Sequence, residues 1–208
     1  IIDSNTRNEK IKNFFINNRK NLIAGFLIIL VVTIGYLSMK EMKERDKIKL
    51  ANQFNITIIN FKTEDKQTTI DQLTKMINEN DATYSPLALY FLIDNNLIDN
   101  KSVINSLFDE LINETSLDEE IKNLIIYKKA LFNSDSSSEN DLLQILSPII
   151  NSKSIWKSHA LYLLAEYFLS QNEDQKAKEF FNQIIALPNS NNDIKLESQK
   201  ILNRDLSE

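Results

Sequence analysis

The sequence predicts an all-α chain with a single N-terminal transmembrane helix followed by a solenoid of helical hairpins. Three observations carry that prediction. Gly25 and Gly35 are the only glycines among 208 residues and only three residues are Pro, which disfavours folds that need many positive-φ turns or a Gly-rich phosphate loop. The stretch Leu22 to Leu37 reads LIAGFLIILVVTIGYL without one charged side chain. Beyond it, apolar residues recur at spacings of three and four between short polar breaks, and no segment alternates as a strand does.

Composition narrows the function classes. The absence of cysteine removes a disulfide framework, a thiolate zinc site and a Cys nucleophile. A net charge of -5 argues against nucleic acid as partner, because binding it requires Lys and Arg to replace the counterions around phosphates.

Extended to Met39, the apolar run is long enough as a helix to span about 27 Å, close to the hydrocarbon thickness of a bilayer. The residues that follow, Ser38 to Glu44, offer no small-x-small cleavage site, so the run reads as an uncleaved anchor. Lys and Arg are equally frequent on its two flanks, but Arg19 and Lys20 abut it directly and the chain turns acidic after Lys47. A cytoplasmic N-terminus and an exported C-terminal domain are therefore expected. The expected segments are a basic stretch 1–20, a transmembrane helix 21–39, a helical stalk 40–66 that begins the repeat region, and a repeat domain 67–208.

Each later element has its own signal. Lys47 to Phe61 places Leu50, Phe54, Ile58 and Phe61 on one face, continuing straight from the anchor. Thr68 to Ile77 repeats the pattern up to the polar break Asn78 to Asp81. Ser85-Pro86 predicts a capping Ser before a Pro in the first turn, opening a helix over Leu87 to Leu97. Asp99 or Asn100 caps a helix carrying Val103, Leu107, Leu111 and Ile112. Ser116 and Glu119 have the spacing of a capping box opening a helix to Phe132. After a polar linker at Asn133 to Ser138 come helices over Asp141 to Ile150 and Ile155 to Leu169. Asn172 then opens a further helix closed by Pro188, and a last one runs from Asp193 to Leu202.

The helices pair as 47 to 79, 84 to 114, 118 to 151 and 154 to 187. Their spacing of about 34 to 36 residues matches the period of tetratricopeptide units. Residues 158 to 191 resemble such a unit. Leu161, Leu164, Ala165 and Phe168 stand at the large, large, small and aromatic positions of its first helix, and Ala177, Phe181 and Ile184 at packing positions of its second. Small residues at the crossings let two helices approach to about 8 to 10 Å. Ile184 stands where the repeat usually has Ala, and Pro188 lies one place early.

The basic N-terminus, the single span, the charged stalk and a repeat domain ending in IWKSHALYLLAEYFLSQNEDQKAKEFFNQIIALP together resemble the bacterial family of ancillary Sec-translocon subunits, the YfgM-like proteins. That resemblance implies an inner-membrane protein whose repeat domain faces the periplasm. It also implies the SecYEG channel and a membrane-anchored periplasmic chaperone as partners. The same architecture also suits a membrane-tethered adaptor for envelope assembly or cell division, or a regulatory subunit of a membrane enzyme.

No catalytic, cofactor or metal residues are assigned. His159 is the sole histidine, and with Trp156 and Tyr162 three residues to either side it reads as a packing residue. Asp118, Glu119 and Glu120 are the carboxylates expected in a first helical turn from the helix dipole. Run 134 to 139 lacks the Gly and the spacing of a calcium loop. Repeat domains bind through exposed aromatic anchors, so Tyr84, Tyr90, Tyr127, Tyr162 and Tyr167 are the candidate protein-binding residues. Phe91, Phe108, Phe132, Phe168 and Phe181 fall on apolar stripes and are expected in the core.

Overall fold

A computed structural model describes residues 2–62 and 65–206. Residue 1 of the expected basic stretch, residues 63–64 of the expected stalk and residues 207–208 of the expected repeat domain lie outside the described residues. Among the described residues the chain forms ten α-helices and no strand: α1 (Ile2–Asn17), α2 (Arg19–Asn60), α3 (Lys66–Asn78), α4 (Tyr84–Asp94), α5 (Lys101–Glu114), α6 (Glu119–Asn133), α7 (Glu139–Ile150), α8 (Lys157–Ser170), α9 (Asp174–Ala186) and α10 (Asn192–Arg204). The chain divides into two compact units, Ile1–Gln53 and Phe54–Glu208.

In the first unit α2 carries the apolar run without a break and is the one described helix long and apolar enough to cross a membrane. The large apolar side chains of that run are exposed all round, including Phe26, Ile29, Val32 and Tyr36. A soluble surface helix would instead keep a polar face. Both glycines lie in this run, and an added Cβ at either would meet open space.

In the second unit helices pack in chain order: α3 on α4, α4 on α5, and so on to α9 on α10, with further contacts of α3 with α5, α6 with α8 and α8 with α10. The core follows from the apolar periodicity. Leu73 and Ile77 of α3, Leu89 and Leu92 of α4, and Ile104, Phe108 and Leu111 of α5 are almost fully buried. A continuous cluster runs on from α6 to α10 through Ala130, Leu142, Leu146, Leu164, Phe168 and Phe181. Val103, expected on the buried stripe of α5, is exposed, and Ile104 and Phe108 take that role. Helices α8 and α9 share the most extensive contact; Ala165 and Ala177, on these two helices, are both 0% exposed.

Glycine-poor turns need another source of left-handed backbone, and asparagine supplies it. Asn80, Asn96 and Asn172 have φ of 54°, 49° and 60°, as Asn tolerates this region better than most residues. Asn96 and Asn172 close α4 and α8 in the same way: the Leu97 and Glu173 N–H groups donate to the Leu92 and Phe168 carbonyls at 2.9 Å, and those of Asn96 and Asn172 to Ile93 and Leu169 at 3.0 Å. This is the Schellman arrangement that satisfies the last carbonyls of a helix. At Asn80 the buried Ser85 hydroxyl replaces one of those bonds. It donates to the Met76 carbonyl at 2.7 Å and accepts from the Asp81 N–H at 2.9 Å.

These geometries correct three expected helix starts. Ser85 does not cap α4, because its hydroxyl serves the end of α3 and the Asp81 carboxylate accepts from the Thr83 and Tyr84 N–H groups instead. Ser116 does not open α6, whose N-cap is Asp118 without a side-chain bond. Asn172 terminates α8 rather than starting α9. Asn100, Ser138, Asp65 and Asn191 do cap their helices. Asn172→Ala is expected to cost about 1–2 kcal/mol, since a Cβ without a compensating polar group is strained at positive φ, while Asn172→Gly stays within a few tenths. Urea unfolding of the two variants checks this.

Candidate interaction surface

Helices of the second unit are tied to later ones by polar contacts separated by 28 to 37 residues in sequence. Lys66 Nζ donates to the Asn96 carbonyl, 30 residues on. Asn80 receives a hydrogen bond from the Thr115 hydroxyl at 3.0 Å, 35 residues on, and Lys101 Nζ donates to the Ser136 hydroxyl at the same separation. Lys176 reaches back 37 residues to Glu139 at 2.8 Å, and the Asn191 N–H donates to Ser158 Oγ, 33 residues before it. Asn105 and Asn133 exchange two amide hydrogen bonds, 2.9 and 2.8 Å.

The densest joint lies between the starts of α6 and α8. The Glu120 carboxylate accepts from the Ser154 hydroxyl at 2.7 Å and from the Ile155 N–H, while its own carbonyl accepts from Trp156 Nε1 at 3.1 Å. The Trp156 ring stacks on Tyr127 with centroids 6.1 Å apart and an interplanar angle of 17°. One residue of α6 thus fixes the chain direction at the entry to α8. In sequence Glu120 carries only the signal of a first-turn carboxylate; its partners are more than thirty residues away and leave no local mark. Glu120→Ala is expected to leave the Ser154 hydroxyl and Ile155 N–H without that partner and to cost about 1–3 kcal/mol. Trp156 is the only tryptophan, so a red shift of its emission reports the loosening directly.

His159 stands in the same joint. Its ring lies 5.0 Å from Trp156 and 5.9 Å from Tyr127; Tyr162, the other expected neighbour, packs edge-on against Phe181 instead. His159 Nδ1 is buried without a hydrogen-bond partner, and burial holds the imidazole pKa below its usual 6.5. A histidine kept neutral in the folded state while the unfolded chain takes up a proton makes stability fall with acidity. The contribution is complete above pH 6.5 and is lost as the pH falls from there toward the lowered folded value. The melting-temperature difference between the parent and His159→Gln is therefore expected to change in that window and to be flat above it.

All five candidate tyrosines are half-buried. Tyr84 packs against Phe54 at 5.9 Å. Tyr90 has its ring under Lys128 Nζ at 5.6 Å, and burial pushes its unpartnered hydroxyl up to about 12. The Tyr127 hydroxyl is raised by burial and then by the negative charge of Glu166. Tyr162 is pushed to about 12 by burial first, then by the charged and hydrogen-bonded Glu166 carboxylate on the next turn, and by Glu197. Tyr167 donates to the Ser137 carbonyl at 3.3 Å, tying α8 to the linker after α6. Tyr90, Tyr127 and Tyr162 belong to α4, α6 and α8. Lys128, Glu166 and Glu197 interact with their rings or hydroxyls from other turns or helices, so no local pattern in the sequence marks them.

Two hollows adjoin this set. One of about 390 Å³ is lined by Ile155, Trp156, His159 and residues 189–191, with Ile155 65% exposed at its rim. The other, about 690 Å³, lies between α8 and the linker after α6, with Glu166 and Tyr167 on its wall. Of the five phenylalanines expected in the core, Phe108, Phe168 and Phe181 are buried, whereas Phe91 and Phe132 are half-exposed and packed against Phe61 and Phe108.

Compared with protein-family models, with curated proteins and with solved structures, the chain matches none.

Proposed function

We propose that the chain is a non-catalytic scaffold of the bacterial inner membrane. In this reading α2 crosses the bilayer once with its N-terminus in the cytoplasm, and the helices from α3 onward form a tetratricopeptide-like solenoid in the periplasm that binds proteins. Following the resemblance, it acts as an ancillary subunit of the Sec translocon that links the SecYEG channel to a membrane-anchored periplasmic chaperone.

The observation that carries the scaffold is the recurrence of lateral joints at separations of 30 to 37 residues. Such a recurrence is what stacked hairpins of nearly equal length produce, and α6 lies against α8 and α8 against α10. Tyr127 and Tyr162 sit on α6 and α8, and the Tyr90 ring on α4 lies under Lys128 of α6; each has an apolar ring and a polar edge, the combination that anchors protein partners. A tether favours weak contacts, because holding the domain at the membrane raises the local concentration of partners there. The non-catalytic reading is supported by the surroundings of the one histidine, whose ring is held against Trp156 and Tyr127.

The test is crosslinking in intact membranes from a photoreactive residue in place of Tyr162 or Tyr127, followed by mass spectrometry of the attached protein. Crosslinks to SecYEG or to a periplasmic chaperone are expected. Crosslinks to cytosolic proteins alone would reverse the orientation, and crosslinks to envelope-assembly or division proteins would redirect the scaffold to a different client.

A further inference from the structure

Helix α1 presents a surface that the scaffold reading does not use. Ile11, Phe14 and Phe15 follow the i, i+3, i+4 spacing of one helix face and are 48%, 56% and 58% exposed. The two phenylalanine rings meet edge to face at 5.9 Å and 87°. Lys10 and Lys12 stand about 100° to either side of Ile11, while Glu9 and Asn13 occupy the opposite face together with Ile16, which is 60% exposed. Among the described residues, none of Lys10, Lys12, Arg19 and Lys20 is held in an ion pair.

We propose that α1 is an interfacial helix that lies on the bilayer leaflet at which α2 begins, with Ile11, Phe14 and Phe15 at the headgroup boundary and the flanking cations on anionic lipid headgroups. This rests on α2 as a membrane span. Two features select a lipid surface as the occupant. The apolar stripe is bordered on both sides by long cationic side chains, which keep their charge at the headgroups while their stems lie along the apolar layer. The helix also runs directly into the apolar segment, so a bilayer that holds α2 brings the lipid surface to α1 at no cost of encounter. Positive charge outweighs negative there, with Arg7, Lys10, Lys12, Arg19 and Lys20 against Asp3 and Glu9, which matches a leaflet carrying anionic lipid.

The chain has a joint where the direction can change. Regular helix is interrupted at Asn18 between α1 and α2, where the Asn18 side-chain amide and N–H both donate to the Phe14 carbonyl at 3.0 Å. Asn17 and Asn18 are weak helix formers whose side chains compete for backbone groups in this way. A bend here lets α1 follow the surface while α2 crosses.

The native chain has no cysteine, so single spin labels can be placed without background. The full chain with one label at each position from 10 to 18 in turn, and one at Ile29, is reconstituted in vesicles of phosphatidylcholine with and without phosphatidylglycerol. Accessibility is read against oxygen, which partitions into lipid, and against a water-soluble nickel complex. With phosphatidylglycerol, oxygen accessibility is expected to peak at 11, 14 and 15 and nickel accessibility at 13 and 17, a helical period with the two reagents out of phase. Omitting phosphatidylglycerol, or replacing Lys10 and Lys12 by Glu, is expected to abolish that pattern. Uniform nickel accessibility from 10 to 18 with a lipid-buried label at 29 would overturn the interfacial helix and leave the span standing. Uniform oxygen accessibility would overturn it by placing α1 inside the bilayer, and a pattern indifferent to phosphatidylglycerol would overturn the anionic-lipid assignment. A water-exposed label at 29 would remove the span itself.

Discussion

Ala165→Asp is expected to destabilise the helical unit by about 3–5 kcal/mol, the size of effect seen when an uncompensated charge is left in a protein interior. Ala165 has no exposed surface, lying on α8 where it packs against α9, and Leu164 and Phe168 beside it are equally enclosed. A carboxylate there must either remain charged among apolar neighbours or take up a proton and still lack hydrogen-bond partners. Ala177→Asp, on the facing helix, is expected to do the same. Ala82→Asp, at an exposed loop position, is the comparison and is expected to stay within about 0.5 kcal/mol of the parent. Urea unfolding followed by far-UV circular dichroism distinguishes these. If the two buried variants melt with the parent, α8 and α9 are not packed as described.

Phe168→Ala is the second large effect, about 3–5 kcal/mol from lost burial and the cavity left behind. Phe168 is 1% exposed and stacks on Phe180 with centroids 5.4 Å apart and an interplanar angle of 5°, while Tyr167 meets it edge-on at 5.5 Å. Lys176 Nζ lies 5.0 Å above the ring while it pairs with Glu139 and Glu173. Removing the ring therefore also takes away the surface against which that lysine is held between hairpins. Phe168→Leu keeps most of the volume and is expected to cost less than half as much. A loss for the Leu variant equal to that for Ala would shift the weight from burial to the aromatic contacts.

Much of this architecture can be read from spacing alone. The helices expected over 84 to 187 reappear as α4 to α9, and the expected pairs 118 to 151 and 154 to 187 as the packing of α6 on α7 and of α8 on α9, whereas α4 of the expected pair 84 to 114 packs more extensively on α3 than on α5. The seven repeat-like positions from Leu161 to Ile184 are all buried. Apolar periodicity is legible because it states a local requirement, one face against a neighbour. Helix ends were harder, for a physical reason. Ser, Asn and Asp near a terminus can serve either of two helices, and which one they serve depends on the backbone of both. Ser85 has the spacing of a cap for α4 and closes α3; Asn172 has that of a cap for α9 and closes α8. The polar joints were the least legible. Glu120, Lys176 and Asn133 have their partners about thirty residues away, and no local pattern distinguishes them from ordinary surface residues.

The lateral joints have a kinetic meaning as well as a structural one. Each hydrogen bond named between successive hairpins closes a loop of 28 to 37 residues. The entropy of closing such a loop is modest and nearly the same at every step. Contacts between neighbours in chain order are the kind that speed folding, because little loop entropy is lost before each is rewarded. Each helix can therefore settle onto its predecessor in the order of synthesis, without waiting for the end of the chain.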